Sequence, residues 1–293
     1  MKNMLSQYYN LFPDKIYSKK GSIYFFIEND KIIIAKINNS QLAEKEKNIK
    51  IVIDNFENKN KNISTILKNK KDELVTKYKN KNYILLKINA IDRKITIDDL
   101  EENNIVEYRE NNNSSIEKIT IDEIEEKIIE FNNEYAMMQR TIDYFIGLAE
   151  NSVQLLEKSH KKGELKLEAN LDDVDKYSYE ELNNPLNFEY IHKEKSISSY
   201  IKYNIYEGTI DYEEIEKIIN DEKINIELLY YYLLYPNFYF NDVIKVMKGI
   251  KKEICLNKYI NNNIVYLEIM KYIYKRKKEK LNKISDAYWI NIW

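Results

Sequence analysis

The chain has 293 residues, 44% hydrophobic and 32% charged, a balance that supports a sizeable core in one large domain or two apposed lobes and excludes wholesale disorder. Its 46 basic and 48 acidic residues leave a formal net charge of -2, so the basic field that draws proteins to nucleic acid is missing and no nucleic-acid partner is expected. The single cysteine, Cys255, excludes an internal disulfide and points to a reducing, cytoplasmic setting; there is no apolar leader, and no window approaches the roughly 18 apolar residues of a membrane span.

In chain order, Ile23 to Ile27 and Ile32 to Ile37 are apolar runs flanking the polar Glu28-Asn29-Asp30-Lys31, which predicts a β-hairpin from Ser22 to Ile37. Residues Leu42 to Phe56 place Ile49, Val52, Ile53 and Phe56 at helical spacing and predict one amphipathic helix. Short runs at Ser64 to Leu67, Glu73 to Tyr78 and Tyr83 to Ile88, separated by Lys/Asn-rich turns, read as further antiparallel strands. Residues 1–90 are therefore expected to form a β-rich lobe with one helix, and residues 91–119 a hinge and linker.

From Thr120 the period changes. Thr120-Ile121-Asp122-Glu123 has the form of a capping box, and Ile121, Ile124, Ile128, Phe131, Tyr135, Met138, Ile142, Phe145 and Ala149 continue at steps of three and four, predicting a long helix or two nearly collinear ones ending near Glu157. Residues Ser159 to Asn187 are polar and acidic without a clear period and read as a long, partly ordered connection. Helices are predicted again at Ile197 to Tyr206, Asp211 to Asn220, Ile226 to Leu234, Phe240 to Lys248 and Ile264 to Leu281, with Pro236 as a stop. The C-terminal segment from Ala287 to Trp293 carries Trp289, Ile290, Ile292 and Trp293 and is expected to be anchored, on the helical lobe, which spans 120–293, or alternatively on a partner surface.

Local sequence adds a resemblance. Tyr144 to Gln154 is similar to the "Y-x-G-L-x-E-N-A-I-Q" stretch of spore coat proteins of the CotS and YutH type, a kinase-like family. Pro185 to His192 resembles that family's segment with a "D-H" pair before a helix, and Ile197 to Lys202 the helix after it. Leu228 to Phe240 resembles "L-L-x-x-R-L-L-Y-P-x-x-Y-F-D". The resemblance implies an α+β, two-lobed fold of the protein-kinase-like and aminoglycoside phosphotransferase-like superfamily, with an antiparallel-sheet N-lobe and a larger helical C-lobe. It also implies an association with spore formation in a Gram-positive bacterium and protein partners among spore coat components. Each matched stretch also has a purely structural reading, since Leu-Leu-Tyr-Pro needs only a buried helix end and a proline stop.

Phosphoryl transfer needs a cation near the phosphates, ligands for Mg²⁺ and an acid that orients the acceptor hydroxyl. Ile34-Ala35-Lys36-Ile37 resembles "V-A-I-K", which makes Lys36 the candidate phosphate-binding lysine, a vestigial one, with Glu44 or Glu46 as its helix partner. Opposed to this, G-x-G-x-x-G is absent, and no His-x-Asp followed some five residues later by Asn occurs; Leu165 to Asn170 offers an acid and an amide at the wrong spacing. Tyr190-Ile191 stand where an aspartate beside His192 is expected, leaving Glu189 as the adjacent carboxylate. Asp172, Asp173 and Asp175 read as a solvated acidic loop, and His160 and His192 have no clustered ligand partners, so no metal site is expected. The expectation is a catalytically inactive kinase-like protein, a pseudokinase, without cofactor. The alternative is a divergent small-molecule phosphotransferase using ATP and Mg²⁺ through acids such as Glu168, Asp172, Asp173 or Glu189.

Overall fold

Alternating apolar and polar residues in the first ninety positions fold into one antiparallel sheet. The computed structural model describes residues 1–19, 22–59, 64–88, 93–103, 105–110, 121, 122, 124, 126, 135–158 and 164–281. After helix α1 (Lys2–Tyr9) come strands β1 (Tyr17–Lys19), β2 (Ser22–Ile27) and β3 (Asp30–Ile37), helix α2 (Leu42–Asn58), and strands β4 (Thr65–Leu67), β5 (Thr76–Tyr78) and β6 (Lys81–Lys87). The sheet order is β1-β2-β3-β6-β4, with β5 also on β6. The predicted hairpin closes at Ile27 opposite Asp30, with Glu28 at φ 55. At the β5–β6 turn Lys79 and Asn80 take φ 48 and 59, the left-handed pair that matches a two-residue turn to the strand twist.

The pleat sends alternate residues to opposite faces. Phe25, Ile32, Ile34, Tyr83 and Leu85 pack on one face with Met4 and Leu5 of α1, a helix that sequence periodicity did not suggest. On the other face Ile84, Leu86 and Ile66 pack with Ile49 of α2, and Ile53 joins them. One turn round α2, Val52 and Phe56 are buried in the main core of the helical region instead. Thus α2 carries two apolar stripes and serves both lobes.

The second lobe contains helices α3 (Ile97–Glu102), α4 (Ala136–Lys158), α5 (Tyr179–Leu182), α6 (Lys193–Tyr206), α7 (Tyr212–Asn220), α8 (Ile226–Leu234), α9 (Asn237–Met247), α10 (Asn257–Asn261), α11 (Asn263–Arg276) and α12 (Lys278–Leu281). It also holds a three-stranded antiparallel sheet of β7 (Ile105–Glu110), β8 (Glu164–Ala169) and β9 (Phe188–Ile191), in that order. Caps set the helix starts: the Asp211 carboxylate accepts from Glu213 N at 2.9 Å, and the Asn225 side chain accepts from Glu227 N at 3.1 Å. Pro236 separates α8 from α9, as its lack of an N–H predicts.

Two segments differ from expectation. Residues 91–119, read as linker, contain α3 and β7; a capping box between Thr96 and Asp99 starts α3, and Arg93 binds Asp99 at 2.5 Å. Residues 159–187, read as a partly ordered connection, contain β8 and α5, because strand pairing and side-chain bonds order a stretch that has no apolar period. Thr120 and Glu123 of the expected capping box, and the whole 287–293 segment, lie outside the described residues. No described helix is long and apolar enough to cross a membrane.

Because Phe56 meets Phe188 edge-on at 5.8 Å across the lobe boundary, the sheet lobe cannot melt without opening the helical core. Calorimetry is expected to show one transition with equal van't Hoff and calorimetric enthalpies. Two resolved peaks would contradict the shared helix.

Candidate functional site

The lobes meet along α2, β8 and β9. Phe188 and Tyr190 of β9, with Leu167 and Ala169 of β8, turn into the helical core. Period-two alternation therefore turns Glu168, Asn170 and Glu189 to the opposite face, and Glu168 lies directly opposite Glu189. The Lys45 ammonium of α2 donates to Glu189 Oε1 at 2.6 Å and to the Leu186 carbonyl at 3.1 Å. Asn170 Nδ2 donates to the other Glu189 oxygen at 2.9 Å. Burial raises the Glu189 pKa, but the field and hydrogen bond of Lys45 outweigh it and hold the carboxylate below its ordinary value.

The segment 179–188 is fastened to the sheet lobe along its length. Glu180 binds Lys31 at 3.0 Å, Ser64 N donates to the Asn183 carbonyl at 3.1 Å, and Leu186 packs on the cluster of Ile49, Ile84 and Leu86. The Arg93 guanidinium lies 3.7 Å from the Tyr179 ring centroid. The chain itself therefore bridges the junction with ion pairs, backbone bonds and one inserted leucine.

Glu168 is different. It is 5% exposed; Ser196 Oγ donates to its Oε2 at 2.9 Å, while Oε1 is buried with no donor among the described residues. Burial pushes its pKa up to about 7, against the Ser196 hydrogen bond and the fields of Lys166 and Lys193. His192, the N-cap of α6, is buried and shares a 2.6 Å hydrogen bond through Nδ1 with Tyr232 OH.

The acidic segment after β8 is not a solvated loop. Asp172 binds Lys195 at 2.8 Å and accepts from Asn237 at 2.8 Å. Asp173 and Asp175 bind Lys245 at 2.5 and 2.9 Å, and Asp175 binds Lys251 at 2.5 Å. Asp242, 0% exposed, binds Lys251 at 2.6 Å and Lys258 at 3.1 Å and accepts from Tyr259 OH at 2.8 Å. Oxygens of Asp173, Asp175 and Asp242 lie within 4.8 Å of one another, close enough for a metal, but lysine ammonium groups supply the compensating charge. Burial raises the Asp175 pKa, yet bonds from Lys251 and Lys245 bring it down to about 2.

The structure does not bring Lys36 to its expected partners. Lys36 is exposed opposite Tyr83, on the α1 face of the sheet, whereas α2 covers the other face. Glu46 binds its helix neighbour Lys50 at 3.2 Å, and Glu44 lies exposed in the first turn of α2. The charged α2 side chain that reaches the helical lobe is Lys45, which sequence reasoning passed over. Its signal was position: Lys45 precedes Asn48 by three residues and Val52 by seven, on the helix side that turns to the helical lobe.

These donors do not fit a magnesium-nucleotide site. Mg²⁺ needs oxygen ligands free of competing cations, and Glu189, Asp172, Asp173, Asp175 and Asp242 each bind at least one lysine. No protein-family model and no curated protein matches the sequence. Among solved structures, the fold is similar to an aminoglycoside phosphotransferase from Alicyclobacillus acidocaldarius, with TM-score 0.58 and 7% identity over 96% of both chains. It is also similar to a spectinomycin phosphotransferase in complex with ADP and spectinomycin, with TM-score 0.53 and 13% identity over 94% of this chain and 92% of that one. The AMP-bound form of that protein gives TM-score 0.57 and 13% identity over 92% and 96%. At these identities the likeness is one of fold, and it shows over nearly the whole chain an α+β, two-lobed architecture like that of these phosphotransferase structures.

Proposed function

We propose that this chain is a catalytically inactive kinase-like protein that acts by binding, as a spore coat or sporulation-associated component with spore coat proteins as partners. The spore assignment rests on the sequence resemblance of residues 144–154, 185–202 and 228–240. One observation supports the inactivity: the acids at the lobe junction and after β8 are engaged by lysines, Lys45 on Glu189 and Lys195, Lys245 and Lys251 on Asp172, Asp173 and Asp175. Since this reaction is catalysed by positioning and electrostatics, replacing exchangeable Mg²⁺ with tethered ammonium groups removes most of what the protein would supply.

The competing reading is a divergent phosphotransferase, favoured by the activity named for the structural neighbours and by Glu168, a buried carboxylate bonded to a serine and not to a lysine. In that reading Lys36 is the phosphate-binding lysine. A thermal-shift titration with ATP, with and without Mg²⁺, paired with a phosphate-release assay, separates the two. No metal-dependent stabilisation and no turnover is the expected result. A shift of several degrees together with turnover that Lys36→Ala abolishes would establish the enzyme instead.

A further inference from the structure

A cavity of about 180 Å³ lies beside Asp172, among the loop after β8, α6, the α8–α9 turn and α9. Its apolar lining among the described residues is Tyr235, Phe240 and Ile244, the first two buried and the third partly exposed. The polar side chains around it are already bonded within the protein. Lys202 donates to the carbonyls of Tyr232 and Tyr235, each at 2.9 Å, and to Asn237 Oδ1, which uses all three N–H bonds of the ammonium. Asn237 Nδ2 donates to one oxygen of Asp172 at 2.8 Å, and Lys195 binds the other at 2.8 Å. Burial raises the Glu189 pKa, and the field of Lys195 joins that of Lys45 in opposing it, so the Lys195 charge is shared between two carboxylates. Ser198 Oγ donates to the Lys195 carbonyl at 2.8 Å, Tyr232 OH and His192 Nδ1 share a bond at 2.6 Å, and Asn241 Nδ2 donates to the Asp172 carbonyl at 2.7 Å.

These bonds decide what the cavity can hold. An ion entering it, of either sign, gives up its water and meets charged groups that already have partners, and a buried charge without a partner of its own is costly. A neutral apolar molecule carries no such cost. Because the polar groups of the wall bond to one another, water is weakly held there, and displacing weakly held water by an apolar group gains affinity. The two rings and the Ile244 side chain supply the contact that replaces it. Volume sets the size of the ligand, because a cavity of about 150 Å³ holds one benzene ring and larger ligands need roughly 300 Å³ or more.

We propose that this cavity binds a neutral, compact apolar molecule, about one benzene ring in size, held by contact with Tyr235, Phe240 and Ile244. Such binding is additional to the function proposed above and needs no nucleotide.

The test uses the full chain with fluorobenzene as probe, followed by the width of its fluorine NMR line. The comparison compounds are para-fluorobenzoate and para-fluorobenzylamine, which put a negative or a positive charge on the same ring. Saturable fluorobenzene binding is expected, with each charged compound at least tenfold weaker. Ile244→Trp fills the cavity and is expected to weaken fluorobenzene at least tenfold; circular dichroism confirms its fold, and Ile244→Phe serves if the larger residue unfolds the chain. Absence of saturable fluorobenzene binding overturns the proposal. So does equal binding of either charged compound, or unchanged fluorobenzene affinity in the folded Ile244 variant.

Discussion

Replacing Asp242 by alanine is expected to destabilise the protein by about 3 kcal/mol or more, read by urea unfolding of the folded variant. The carboxylate is 0% exposed and anchors Lys251 and Lys258 and the Tyr259 hydroxyl. Removing one partner of a buried ion pair costs about 3–5 kcal/mol; here Lys258 loses this carboxylate, while Lys251 keeps Asp175 at 2.5 Å. The lower end applies because the Lys251 and Lys258 side chains keep 13% and 25% of their exposure and can turn partly to water. At about 2–4 °C per kcal/mol for a chain approaching this size, the melting temperature should fall by roughly 6 °C or more. Asp175→Ala removes a more exposed carboxylate and should cost less than half as much. A loss under 1 kcal/mol for Asp242→Ala would mean that the lysines find equivalent partners without it.

Glu168→Gln is expected to stabilise the protein at pH 8 and leave it unchanged near pH 4. Burial raises the Glu168 pKa from 4.5 to about 7, so between those values the folded chain holds a proton that the unfolded chain releases. Below 4.5 the carboxyl is neutral in both states and carries no penalty; as pH rises through 7 the folded state must ionise it in a dry site, and that stability is lost. The gap corresponds to about 3 kcal/mol above pH 7. Glutamine keeps the shape and the acceptor for Ser196 while removing the ionisation. The wild-type melting temperature should therefore fall relative to that of the variant between pH 4.5 and 7, then run parallel to it. Equal pH profiles for the two proteins would show that Glu168 titrates as an ordinary carboxyl.

Much of the fold was legible because the residues that build it repeat. The hairpin, the Leu42–Phe56 helix and the helices beyond residue 190 follow from apolar spacings that local geometry enforces, and each appears close to its predicted place. The β8–β9 pairing was not legible, because Lys166, Glu168, Asn170 and Glu189 put polar side chains on a face that an isolated strand would give to water. The aspartates after β8 looked solvated because their partners Lys245 and Lys251 stand some seventy residues later in the chain. A lysine in a lysine-rich sequence carries no local mark of its pairing. Lys36 shows the converse: the strand motif placed it correctly on β3, but which face it takes is decided by strand register and by which helix covers which side.

The two stripes of α2 also bear on how such a sequence can change over generations. Ile49 answers to the sheet and Val52 and Phe56 to the helical core, so a substitution that turns this helix to suit one lobe misplaces its side chains in the other. Loss of volume at Phe188 must be made good at Phe56 or nearby, although 132 positions separate them in the chain. Exposed positions elsewhere on the helix, such as Glu44 and Lys50, carry no such obligation. Drift should accordingly be rapid on that outer surface and concerted along the inner one, where compensating pairs would link residues remote in sequence and adjacent in space.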